Sequence, residues 1–180
     1  MNRRSFLSAG AALAALSARP AVALPADAAS ALAEASAHAS ASDRRLLIVF
    51  HASWCVYCRL FDEMLADSKA AAIVDRHFVT LHMRALERKP EMQAQELPGA
   101  EEVLARYAPK GAGLPYMAVI GKGGAEVADS IMPGGDNFGF PVTDPELAAF
   151  EAMMKAGAPD MPKGDLRYLR QVCVKLYKKS

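Results

Sequence analysis

Residues 46–58, Leu46-Leu-Ile-Val-Phe-His-Ala-Ser-Trp-Cys-Val-Tyr-Cys58, decide how the rest of this chain is read. Leu46 to His51 is a short apolar, β-rich run, the pattern of a buried strand. Two cysteines follow at once. From Val56 onward Leu60, Phe61, Met64 and Leu65 recur at helical spacing with polar residues between them. Cys55 and Cys58 are therefore expected at a strand-to-helix junction. At a helix N-terminus, unpaired N–H groups and the helix dipole stabilise a thiolate, and this favours Cys55 as the reactive thiol. Cys58, one turn deeper, is placed to expel a mixed disulfide formed on Cys55.

Downstream, Ala70 to Arg76 reads as a second short helix and Phe78 to Met83 alternates like a strand. Residues 84–99 are polar and interrupted by Pro90 and Pro98, which points to a loop, with a short helix over Glu101 to Tyr107. Tyr116 to Ile120 and Glu126 to Ile131 flank the turn Gly121-Lys122-Gly123-Gly124 as a hairpin. Thr143-Asp144-Pro145-Glu146 has the form of a capping box, opening an apolar helix through Met154. A final helix is expected from Asp165 to Lys178.

Upstream, residues 1–23 have a basic start, a short Ala/Leu-rich middle and a small-x-small end at Ala21-Val22-Ala23, the layout of a secretory signal peptide. Arg3-Arg4-Ser5-Phe6-Leu7 is similar to the core of bacterial twin-arginine signals, so the expected destination is the periplasm. Residues 24–43 are Ala/Ser-rich, and linker and marginal helix both remain open for them. Residues 44–180 are expected to form the folded domain. No apolar run reaches the ~20 residues of a spanning helix, so stable membrane insertion of the mature chain is not expected. At 180 residues and 52% hydrophobic, the chain has enough for one core. Its 21 basic and 20 acidic residues nearly cancel, which argues against nucleic acid as a partner.

The strand LLIVFHASWCVYC with its amphipathic helix, followed later by LARYAPKGAGLPYMAVIGKGGAEV, resembles the thioredoxin superfamily over residues 44 to 155. The resemblance implies a three-layer α/β/α fold with a mixed central sheet, here with an extra C-terminal helix. It implies a thiol:disulfide oxidoreductase acting on protein thiols and disulfides through Cys55 and Cys58, without a cofactor, and recharged by a membrane or periplasmic electron partner. In the family pattern Trp54 caps the site and Pro115 is the cis-proline facing the cysteines. Trp54 before the pair, and no sign of an inserted helical domain, favour reduction as its direction. Two departures stand out: Val49 occupies the place of the family's buried acid, and Val56-Tyr57 lacks the proline between the cysteines.

His51, two residues beyond Val49 and on the same face of the strand, is a candidate for tuning the sulfurs or relaying protons. The plainer alternative is a half-buried ring filling an aromatic's place. The pair itself also admits a soft-metal reading, with Cys55, Cys58 and His51 binding copper, although four ligands at zinc-site spacing are missing. Cys173, on an apolar helical face, reads as core before it reads as a third redox thiol.

Overall fold

The computed structural model describes residues 25–179. The signal-peptide expectation falls on residues 1–23, outside the described residues. At the centre is a four-stranded mixed sheet in the order β2-β1-β3-β4. Strand β1 (Arg45–His51) runs parallel to β2 (Phe78–Arg84) and antiparallel to β3 (Tyr116–Ile120), which pairs antiparallel with the short β4 (Glu126–Asp129). Every residue from Leu46 to Phe50 is buried, because helices cover both faces of the sheet. This is the thioredoxin-like α/β/α sandwich.

The period of two along β1 and β3 divides the core. Leu47, Val49, Met117 and Val119 face α2 (Val56–Ala66), α3 (Ser68–His77), α6 (Asp144–Gly157) and α7 (Lys163–Tyr177). Leu46, Ile48, Phe50, Tyr116 and Ala118 face α1 (Ala28–Ala41) and α5 (Ala100–Tyr107). The Ala/Ser-rich stretch that composition leaves undecided is thus helix α1, capped by Asp27, whose carboxylate accepts the Ser30 N–H at 2.7 Å. Its small residues let it lie close on the sheet, with Ala28, Ala31 and Ala39 buried.

The Thr143 capping box forms as its sequence reads, Glu146 closing back on the Thr143 N–H at 2.8 Å. Helix α6 ends at Gly157, where the space of a Cβ is taken by Phe78 and Val119. Two details differ from expectation. Pro90 starts a one-turn helix, α4 (Pro90–Gln93), because a proline suits the first turn of a helix. The hairpin's second strand stops at Asp129, and Ile131 instead bridges to Asn137.

Candidate functional site

The β1–α2 junction carries the cysteines on a tight turn, Ala52 to Cys55, closed by the Cys55 N–H on the Ala52 carbonyl at 3.1 Å. Cys55 is itself the N-cap of α2: its Sγ accepts the Cys58 N–H at 3.0 Å. Cys55 and Cys58 are joined in a disulfide with their Cα atoms 5.2 Å apart. Cys55 is 4% and Cys58 2% exposed, so exposure does not separate the two sulfurs; the N-cap position does.

Opposite the turn stands the loop before β3. The Leu114–Pro115 peptide is cis, and the Leu114 carbonyl lies 3.3 Å from Cys55 Sγ, within reach of an S–H donor on a reduced Cys55. Asn137 fixes this loop from the far side, donating to the Gly113 carbonyl at 2.6 Å and the Pro115 carbonyl at 3.0 Å. Gly139, with φ +55, packs against Pro115 and the Leu114 carbonyl, where a Cβ would sit 3.5 Å from Pro115 Cδ.

The third side is the segment after β2. Trp54, exposed at the rim, donates its indole N–H to the Leu86 carbonyl at 2.8 Å, and the Arg88 guanidinium lies 3.7 Å over its ring. Glu87 turns inward and holds Ser53 and Arg84. Burial pushes the Glu87 carboxyl up, but the hydrogen bonds from Ser53 and Arg84 outweigh it and leave the group below the ordinary carboxylate range. Neither Glu87 nor Asn137 carries a sequence signal: each lies in an irregular stretch, and its role depends on which strands are neighbours.

His51 ends β1, one residue before the cysteine turn. Its ring stands edge-on to His82, 5.7 Å between centroids, and among the described residues no hydrogen bond joins it to either sulfur. Burial, then the neighbouring His82, lowers its pKa below the ordinary histidine value, so it is neutral near pH 7. His82, paired with Asp62 at 3.6 Å, is lowered by burial as well. Val49, at the place of the family's acid, is 1% exposed and surrounded by apolar side chains. Cys173 lies on α7, fully buried, with Met64 Sδ 3.5 Å from its sulfur. Among the described residues no group of three His, Cys, Asp or Glu side chains is arranged to hold a metal ion.

A thioredoxin-like family model matches residues 27–121, from just before α1 to the end of β3 and including both cysteines and Pro115. The chain belongs to the thioredoxin-like family. With a disulfide-forming C-x-x-C pair at the head of α2, this thioredoxin-like protein is a thiol:disulfide oxidoreductase. Solved structures similar to it include a disulphide isomerase from Xylella fastidiosa Temecula1, with 21% identity, 84% of this chain and 98% of that chain covered and a TM-score of 0.48. A thioredoxin from Thermus thermophilus has 24% identity, coverage of 79% and 84%, and a TM-score of 0.43. A thioredoxin-fold protein from Helicobacter pylori has 17% identity, coverage of 77% and 87%, and a TM-score of 0.41. No curated protein matches the chain.

Proposed function

We propose that the protein is an exported, periplasmic exchanger of protein disulfides, in which Cys55 attacks and Cys58 resolves. The observation that carries this reading is the N-cap: Cys55 Sγ accepts the Cys58 N–H at 3.0 Å, so a thiolate on Cys55 inherits a hydrogen bond and the positive end of α2. In the reductive direction, the Cys55 thiolate attacks one sulfur of a substrate disulfide and the other sulfur leaves as a thiolate. The Cys58 thiolate then attacks Cys55 Sγ, expelling the second substrate sulfur and leaving the Cys55–Cys58 disulfide. The reverse sequence oxidises a substrate dithiol.

Substrate would lie over the exposed apolar rim of Trp54, Val56, Tyr57 and Leu86, with the cis Leu114–Pro115 segment presenting backbone beside the sulfurs. Trp54 and Pro115 are binding residues in this reading. His51 acts as a neutral neighbour of the site. Residues 1–23 serve as a twin-arginine signal, and the folded unit begins with α1 because that helix packs on the sheet. Reduction is the favoured direction, which requires an electron donor in or at the membrane to restore the dithiol.

Trapping tests the reading. Cys58→Ala in its native periplasm should accumulate mixed disulfides on Cys55 that release proteins on reduction. A reactive Cys55 that captures none would refute protein substrates. Stoichiometric copper on protein purified under reducing conditions, with no insulin reduction, would move the pair to metal carriage instead.

A further inference from the structure

Glu87 is 5% exposed, and a carboxylate so placed is costly unless its lone pairs are used. They are used on one residue above all. Oε1 accepts the Ser53 backbone N–H at 2.7 Å and Oε2 accepts the Ser53 hydroxyl at 2.7 Å, while Arg84 donates to Oε1 at 2.9 Å and balances the charge. Ser53 is the second residue of the Ala52–Cys55 turn, whose fourth residue is the N-cap of α2.

The loop that supplies Glu87 is itself tied down. The Glu87 N–H donates to Glu96 Oε1 at 2.7 Å, and the Gln93 amide donates to the Glu87 carbonyl at 2.9 Å. Leu86, one residue earlier, has φ +62, a conformation that non-glycine residues hold only where the surroundings enforce it. In that conformation its carbonyl receives the Trp54 indole N–H while the next side chain turns inward to Ser53. One loop therefore fixes two consecutive residues of the cysteine turn, Ser53 and Trp54.

We propose that Glu87 is a positioning residue for disulfide exchange: it holds the 52–55 turn so that Cys55 Sγ stays at the head of α2, where the Cys58 N–H stabilises the thiolate. Glu87 touches neither sulfur in this role; it acts through Ser53. The inference deepens the reading of Cys55 as the attacking thiol and rests on it.

The test is the pH dependence of iodoacetamide alkylation of the reduced full chain, followed at the Cys55 peptide by mass, alongside the melting temperature. Glu87→Ala frees the turn and should raise the Cys55 midpoint by about one pH unit, a tenfold smaller thiolate population below it. Glu87→Gln should stay near the parent, because its amide oxygen can take both bonds of Oε1 and its NH₂ can donate to the Ser53 hydroxyl. Ser53→Ala removes one arm of the grip on an exposed residue and should shift the midpoint in the same direction by about two- to threefold in thiolate population. That variant keeps the test decisive if Glu87→Ala does not fold.

A lower melting temperature in Glu87→Ala with an unmoved midpoint would make Glu87 purely structural and overturn the proposal. A midpoint in Glu87→Gln that moves as far as in Glu87→Ala would overturn it too, by assigning the effect to charge. An unmoved midpoint in Ser53→Ala would do the same. Alkylation needs no protein substrate, so these outcomes stand apart from the trapping experiment. If Cys58 rather than Cys55 is the thiol labelled at low pH in the parent, the proposed function fails instead.

Discussion

Cys173 is the one cysteine outside the pair, and the structure predicts that it takes no part in redox chemistry. It is fully buried on α7, its Sγ 3.5 Å from Met64 Sδ, and burial pushes its thiol from 9.0 up to about 12. At pH 8 the ionised fraction is then about 10⁻⁴, against about 10⁻¹ for the unshifted thiol, so reaction through the thiolate slows about a thousandfold. Enclosure adds to that factor, because iodoacetamide must also reach the sulfur. The assay is alkylation of reduced native protein at pH 8, quenched at intervals and mapped by peptide mass. Cys55 should label first, and Cys173 at a useful rate only after urea unfolds the chain. Cys173→Ala should keep the parent rate of disulfide exchange and lose about 1 kcal/mol of stability through the vacated volume. Labelling of native Cys173 within tenfold of a free cysteine, or exchange abolished in a folded Cys173→Ala, would refute the reasoning.

Gly157→Ala places a Cβ 2.7 Å from both Phe78 Cε1 and Val119 Cγ1. Since both side chains lie in the packed core, the variant should lose about 1–3 kcal/mol in denaturant unfolding; an unchanged midpoint would mean that α6 can lift from the sheet freely. Burial and the neighbouring Asp129 push Glu126 up to about 7 from 4.5, so its contribution is full below 4.5 and is lost as pH rises through about 7. Glu126→Gln should therefore add stability at pH 8 and not near pH 4, by at most about 1 kcal/mol because the side chain is only partly covered and water screens the rest; an equal gain at both pH values would contradict this. His51→Phe should leave the Cys55 alkylation midpoint within a few tenths of a pH unit and the exchange rate within about twofold, since the ring is already neutral near pH 7. A shift of a full unit would return His51 to the chemistry.

Features written within a few residues of one another were legible in the sequence. The strand over 46–51, the helix after Val56, the capping box at Thr143 and the placing of the cysteines at a strand-to-helix junction all follow from local pattern, and the structure keeps each within a residue or so at its start. Residues 24–43 resisted because alanine favours helix without marking a face; α1 has few large apolar side chains, and its burial comes from close approach. The buttresses resisted for a different reason. Asn137 and Glu87 sit 82 and 32 residues from Cys55 in the chain, and nothing local distinguishes them from solvated loop residues. His51 shows the same limit from the other side: strand periodicity gave its face correctly, but its partner there is His82 on β2.

The strand order explains why three distant segments meet at Cys55. Because β2 runs parallel to β1, with His51 beside Arg84, the loops that leave their C-terminal ends, 52–55 and 85–88, emerge at the same edge of the sheet. Because β3 runs antiparallel to β1, with Phe50 beside Tyr116, the segment entering β3, 113–115, lies at that edge too. The sulfur thus receives opposing influences from two neighbours. The Cys58 N–H favours the Cys55 thiolate, while the Leu114 carbonyl, able only to accept, favours the protonated thiol. Val56 and Tyr57 are the two residues between the partners of the first contact, and Asn137 grips residues 113–115, which supply the second. The poise of the pair is consequently a property of the register between β1, β2 and β3 as much as of the four residues from Cys55 to Cys58. Loosening the 113–115 loop should make Cys55 more acidic, whereas loosening the 52–55 turn should make it less so.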